Sequence, residues 1–540
     1  SGPGGTDAPP MTREATARVL GAMATTAAIV ALLATGCGGR RPSLAAQRQV
    51  ADSLIAEGCY HCLDEAVVRY LGLPPARDAV ARVNDTQLFR ALILLALRGK
   101  ELGIGASQHL KQAGLLAPRT TVPAAAREQL KWAELMPSNP SALPRDDAEA
   151  ERLRLAEARG DLERRLTGAA AMSDPLDVYL NVSLACSASF PLPAHSPETL
   201  AAPAAAHPIV QWRLAICSRT REDALRAFAE AHPRYVEADY WRGRYRSTTS
   251  PSTIAGRTAV ALSSNPAARR EARERLRAAL TAIPGALAIA FDLAGITSVT
   301  SPRDALPLYE RVTKAQPRHN EAWLGQGICL TYLERPREAI DALSHVVELG
   351  RWSVGDALYW RAWNRHAIGE LEAAWADIEQ ARTTVYNTNV YGLAGRIAFD
   401  RKALDTARPL LEKAVELSEA NCAATWFLGL LHSTEERWLA GGTAFEAAEA
   451  CYRADVTRAQ VEGQLAAGDA IDEAARAERQ AQTEASIRAA ERQAALSAYN
   501  AAFNLVRGGE PARSRPLLDR AVQHPEVSDR ARELRAFVDR

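Results

Sequence analysis

Residues 320–349 read NEAWLGQGICLTYLERPREAIDALSHVVEL. Within that stretch Ala339, Leu343 and Val346 are small, large and small at helical spacing, so they share one face of a helix. The same triplet recurs as Ala272/Leu276/Ala279, Ala305/Tyr309/Val312, Ala374/Ile378/Ala381, Ala407/Leu411/Ala414 and Gly441/Phe445/Ala448. Successive starts stand about 34 residues apart, and self-similarity at such a period marks a stacked repeat. A second column keeps the same register, with Leu293, Gly327, Ala362, Gly395 and Gly429 each twelve residues before a triplet. Small side chains there let the first helix of a pair approach the second closely. The large residue of the triplet is then expected to fill the space between neighbouring pairs.

Further out the signal thins. Pro284 and Pro317 close two repeats, where the chain must leave a helix. Pro307, Pro409 and Pro516 recur early in second helices and are expected near the first turn, where a missing N–H costs least. Ala224/Phe228/Ala231, Ser514/Leu518/Ala521 and Ala66/Tyr70/Leu73 read as further second helices. Residues 88–98 read as a buried helix too short to span a membrane.

Trp323, Gly327, Ala339 and Leu343 together resemble the tetratricopeptide repeat (TPR), with Gln326 where the TPR pattern prefers Leu. The resemblance implies an all-α fold, a TPR-like α-solenoid of stacked antiparallel helix pairs. The expected organisation has an N-terminal extension and signal over 1–36 and a TPR-like helical region over 37–135. A helical segment with Pro-rich linkers follows over 136–208, then degenerate TPR-like helices over 209–285 and the array proper over 286–455. A long polar helix, a TPR-like pair and a cap fill 456–540. The polar helix, 466–508, carries no sustained heptad seam and is not read as a coiled coil. Residues 136–147 read as a linker, and 246–255 as a loop within a helical hairpin.

Composition agrees with helices. The apolar content of 47% is dominated by Ala and Leu, with few β-branched runs. With 65 basic against 64 acidic residues, bulk charge points to no nucleic-acid partner.

The N-terminus carries an address. After Met11 come Arg13 and Arg18, an apolar stretch over 19–33, and then Ala34-Thr35-Gly36-Cys37. This order is that of a secretory signal. Its last four residues resemble the lipobox of bacterial lipoproteins, with Ala34 where that family usually has Leu. The resemblance implies cleavage before Cys37, lipidation of Cys37, and a body facing the periplasm, anchored to the outer membrane. An uncleaved anchor is the alternative, and it too leaves the body outside the cytoplasm because the arginines stay inside.

Chemistry finds little purchase. Setting Cys37 aside leaves seven cysteines, an odd number. Cys59-Tyr60-His61-Cys62 is the sharpest cluster. Leu63 stands where covalent haem attachment needs His, no second ligand pair is spaced for zinc, and no strand pattern surrounds a redox motif. A disulfide or buried thiol pair at a helix–helix turn remains, beside a thiol–disulfide enzyme using the same pair. There is no Gly-rich phosphate loop, no G-x-S-x-G and no H-E-x-x-H. No catalytic residue, metal site or cofactor is therefore expected.

In TPR proteins the first helices line a concave groove. The groove columns, carried onto this chain, hold Glu321, Asp356, Tyr359, Trp363, His366, Asn389, Arg396, Phe399 and Trp426. Aromatics with Arg suit a peptide or protein partner. The alternative is that Trp363 and Phe399 simply pack between helices. The sequence thus predicts a non-catalytic, lipid-anchored scaffold for proteins or peptides of the cell envelope. An accessory role in envelope assembly or export of polysaccharide or pili is a second reading.

Overall fold

The computed structural model describes residues 42–169, 172–188, 196–218, 221–247, 266–298, 300–468 and 473–540. Residues 1–41, with the signal and Cys37, lie outside them, as do residues 248–255 of the expected hairpin loop. Every regular element among the described residues is a helix. No helix there is long and apolar enough to cross a membrane.

Five helix pairs form the array: Leu287–Ser298 with Pro302–Ala315, Asn320–Tyr332 with Pro336–Leu349, Val354–Ala367 with Leu371–Arg382, Thr388–Asp400 with Leu404–Leu417, and Cys422–Thr434 with Trp438–Gly468. Each helix packs on its partner and on the pair that follows, the nearest-neighbour logic of a solenoid. The chain is an all-α, TPR-like solenoid of stacked helix pairs.

Ala339, Leu343, Val346, Ala374, Ile378, Ala381, Ala407, Leu411 and Ala414 are all fully buried. Their partners differ in part from the expectation. A Cβ on Gly327 would stand 2.5 Å from Leu343 Cγ, one on Gly395 2.6 Å from Leu411 Cγ, and one on Gly429 2.8 Å from Phe445 Cδ1. The large residue therefore seats on the small residue of its own pair. Tyr309 does bridge pairs: its ring occupies the space a Cβ on Gly325 would take, at 2.4 Å.

The turn inside each of the last four pairs also repeats, and it recurs at Gly509. Glu334, Lys402 and Glu436 adopt φ of 56°, 65° and 57°, and Gly369 and Gly509 adopt 81° and 84° at the matching positions. A left-handed residue lets the chain reverse within a few residues. Pro307, Pro409 and Pro516 are each the sixth residue of their helices, past the first turn, so each removes one i→i−4 bond.

The region before the array is built differently. Helices from Leu44–Glu57 to Ala238–Ser247 wrap one continuous core around Asp78–Leu102, whose residues 91–97 are all buried. Arg98 at its centre is fully buried, paired with Glu101 and with the equally buried Glu237. Burial alone would lower the Arg98 pKa, but the two carboxylates outweigh it and raise it. The stretch read as a linker, 136–147, is partly core. Asn139 is buried and donates to Glu101 O at 2.8 Å and Tyr240 Oη at 2.7 Å, while its Oδ1 accepts from Arg244 at 3.1 Å.

Three disulfides are formed: Cys59–Cys62, Cys186–Cys217 and Cys422–Cys451. Cys329 is a free, buried thiol in the array core.

At the C-terminus, a second long helix accompanies the polar helix expected over 466–508. Trp438–Gly468 runs for 31 residues, and Glu473–Arg507 for 35 lies against it. The base of this hairpin packs on Pro511–Ala521, which in turn packs on Ser528–Val538.

Candidate binding groove

The groove is carried by three successive first helices, Val354–Ala367, Thr388–Asp400 and Cys422–Thr434. Asn387 and Asn421 cap the second and third, accepting from Val390 N at 2.9 Å and Ala424 N at 3.0 Å. Asn421 also donates back to Thr388 O at 3.0 Å, so one side chain both starts its helix and ties it to the previous one. Asp377 on a second helix takes both Arg361 (2.7 Å) and Arg365 (2.8 Å), which fixes the rotation of Val354–Ala367.

On this frame six of the nine residues expected in the groove separate. Trp363 is 39% exposed and makes no ring contact with any described residue. His366 bonds Asp400 at 2.6 Å, a tie between adjacent first helices. Tyr359 is half-buried against Trp360, ring centroids 5.3 Å apart, and burial pushes its hydroxyl up to about 12. Arg396, Phe399 and Trp426 converge on Phe427. The Arg396 guanidinium stands 5.6 Å from the Phe427 ring, with Phe399 and Trp426 edge-on at 5.5 and 5.2 Å. Trp426 also meets Phe445 behind it at 6.2 Å. Tyr359, Phe399 and Trp426 thus have aromatic partners among the described residues that Trp363 lacks.

Two donors stand out. Arg396 forms no hydrogen bond or ion pair with a described residue, and its Nε is buried without a partner. Trp426 Nε1 is likewise buried without an acceptor. Buried polar groups in native proteins are almost always satisfied, so a water or an acceptor from a bound partner is expected at these donors.

Phe427 is the member that the sequence reading missed. It follows Trp426 directly and falls off the groove column by one place. Asp400, the partner of His366, was missed for the same reason. Cys59 and Cys62 form the expected disulfide, and the alternative, thiol–disulfide exchange, meets an obstacle of access. Cys59 caps the helix Tyr60–Leu71, accepting from Cys62 N at 3.1 Å, but the two residues are only 1% and 0% exposed. Thiol–disulfide exchange needs an incoming thiolate to reach a sulfur.

No family model and no curated protein matches this chain. Among solved structures, the MamA protein matches 31% of this chain and 92% of its own, at 23% identity and a TM-score of 0.28. YrrB, described as a TPR protein with an unusual peptide-binding site, matches 42% of this chain and 97% of its own, at 16% identity and a TM-score of 0.30. The Cut9–Hcn1 hetero-tetramer of the APC/C matches 91% of this chain at 12% identity and a TM-score of 0.30. The solenoid fold rests on the helix pairing and burial described above, not on these superpositions.

Proposed function

We propose that this chain is a binding scaffold of the bacterial cell envelope, lipid-anchored through Cys37, which holds a protein segment along its first helices without turnover. The observation that carries the binding reading is the unpaired Arg396, with the exposed Trp363 on the preceding first helix and the orphan Trp426 Nε1 on the following one. A carboxylate or backbone carbonyl of a bound segment would satisfy these donors. Two features support the envelope. Three disulfides suit an oxidising compartment. The pairing also resolves the odd count: six cysteines are joined, Cys329 is a core residue, and Cys37 is left over for lipid. The buried Cys59–Cys62 pair weighs against thiol–disulfide exchange as the function.

The test is affinity capture of the full-length protein from its native envelope membranes, with Trp363→Ala and Arg396→Ala beside the wild type. Truncating a true anchor costs more than about 2 kcal/mol of binding. Both variants should lose the captured protein while melting near the wild-type temperature. Retention by both, or loss only through unfolding, sinks this groove as the binding site.

A further inference from the structure

The helix Arg145–Glu157 lies against the N-terminal end of the array. Asp146 takes Arg351 at 2.8 Å and the Trp352 indole N–H at 2.6 Å, Glu149 takes Arg351 at 3.3 Å, and Asp147 takes Arg318 at 3.2 Å. Between this helix and the array is a cavity of about 450 Å³ whose wall includes Phe291, Trp352, His319 and Glu321.

Glu321 is 9% exposed, yet no Lys or Arg of the described residues comes within 4 Å of it. The one ionisable nitrogen within 4 Å is His319 Nδ1, at 3.7 Å. That nitrogen accepts from Ala322 N at 3.2 Å as the cap of Asn320–Tyr332, and Nε2 faces Ser141 O at 3.4 Å. Burial holds the His319 pKa down at about 4, so near neutral pH the ring carries no charge to offer. Burial also raises the Glu321 pKa, opposed by its own backbone N–H and by Arg145. The first turn of a helix favours the ionised form, so the carboxylate presents a negative charge to the cavity.

Two arginines also line this space, and Arg145 acts on the carboxylate at longer range, but neither stands within ion-pair distance of it. Arg145 lies on the Trp352 ring, 3.9 Å from its centroid, and Arg152 is exposed and solvated. A buried carboxylate without a contact ion pair is costly, and a cation beside an aromatic wall is favoured.

We infer that this cavity takes the arginine or lysine side chain of a bound protein segment, with Glu321 as counter-ion and Phe291 and Trp352 as apolar walls. The ion pair stands on the cavity itself. The choice of a segment as its source rests on the groove proposal, because Asn320–Tyr332 is the first helix next in line before Val354–Ala367. A segment lying in both sites would place a basic group here and an acceptor at Arg396.

Calorimetric titration of the full chain tests this. The probes are N-acetyl-arginine amide, its neutral isostere N-acetyl-citrulline amide, the anionic N-acetyl-glutamate amide, and a nine-residue peptide with a central arginine. The arginine amide should bind saturably, with the citrulline amide weaker by about tenfold or more. Glu321→Gln, which keeps shape and removes a buried charge, should lose a similar factor without lowering the melting temperature. Equal binding of the neutral isostere, preference for the anion, no saturable binding, or unchanged affinity in Glu321→Gln would each overturn the site. The peptide should bind more tightly than the amide, and Trp363→Ala should weaken the peptide alone. An amide that binds as tightly as the peptide overturns the segment as the source and leaves the cation site standing.

Discussion

The array and the region before it are both helical, yet they hold together by opposite means. In the array the same apolar contact repeats: Gly327 under Leu343, Gly395 under Leu411, Gly429 under Phe445. The buried side chains fall into separate clusters, one after another along the stack. Before the array there is one large core, and charge sits at its centre. Arg98 joins Glu101 and Glu237 beneath the Trp212 ring, 4.3 Å from its centroid, and Glu101 also receives Tyr179 Oη at 2.7 Å, Trp212 Nε1 at 3.1 Å and Arg213 at 3.1 Å. A stack of like contacts tolerates a local fault. A single charged hub does not, because each partner's burial is justified only by the others.

The largest expected effect therefore lies at the hub. Glu237→Ala leaves Arg98 buried with part of its counter-charge removed and frees the Tyr60 N–H, which Glu237 Oε1 accepts at 2.9 Å. Breaking a buried pair from one side costs about 3–5 kcal/mol. Region-resolved hydrogen exchange should show lost protection across Asp78–Leu102, Pro175–Ser187 and Pro208–Cys217. Protection across 354–434 should hold. Equal loss in the array would mean that the two regions unfold as one unit and are not held by separate means.

An intermediate effect is expected where two helices of a pair touch. Ala339 is fully buried, and a leucine there overpacks the contact at a cost of about 1–3 kcal/mol. The loss of protection should centre on 320–349 and fade within a neighbouring pair, as nearest-neighbour coupling requires. Unchanged stability in Ala339→Leu would contradict the register of the whole array.

The same contrast explains what could be read beforehand. The array was legible because one packing solution recurs along the stack, and Ala or Gly against Leu, Ile or Phe leaves a column at fixed spacing. Arg98, Glu101 and Glu237 leave no column. Each looks like a solvated helix charge, and Arg98 meets Glu237 across 139 positions of sequence. The 136–147 stretch reads as a linker from its Pro and Ser content, and only Tyr240 and Arg244 reveal why Asn139 is buried. In the groove, the columns locate Trp363 and Arg396 but not the Phe427 ring beneath Arg396. Glu321 stands in its column, whereas the helix Arg145–Glu157 beside it comes from outside the repeat and has no register to betray it.

The smallest effect concerns the turns, which repeat in geometry but not in residue type. Gly369 and Gly509 meet the left-handed position with the residue that suits it, while Glu334, Lys402 and Glu436 adopt the same backbone with a Cβ. A left-handed conformation costs an L-residue roughly 1 kcal/mol, partly offset in any glycine variant by the greater freedom of the unfolded chain. Glu436 is the cleanest of the three to change. It is exposed and makes no ion pair with a described residue, whereas Lys402 lies 5.9 Å from the Phe399 ring. Glu436→Gly should stabilise the array by about 0.5 kcal/mol, read as a higher urea midpoint with unchanged slope. Gly369→Glu, the reverse exchange at the matching turn, should destabilise by a similar or larger amount. Opposite signs would show that these turns are strained in the same way and that the repeat extends to the backbone itself. If both substitutions destabilise, Glu436 holds its turn through its side chain, and the five turns are alike only in shape.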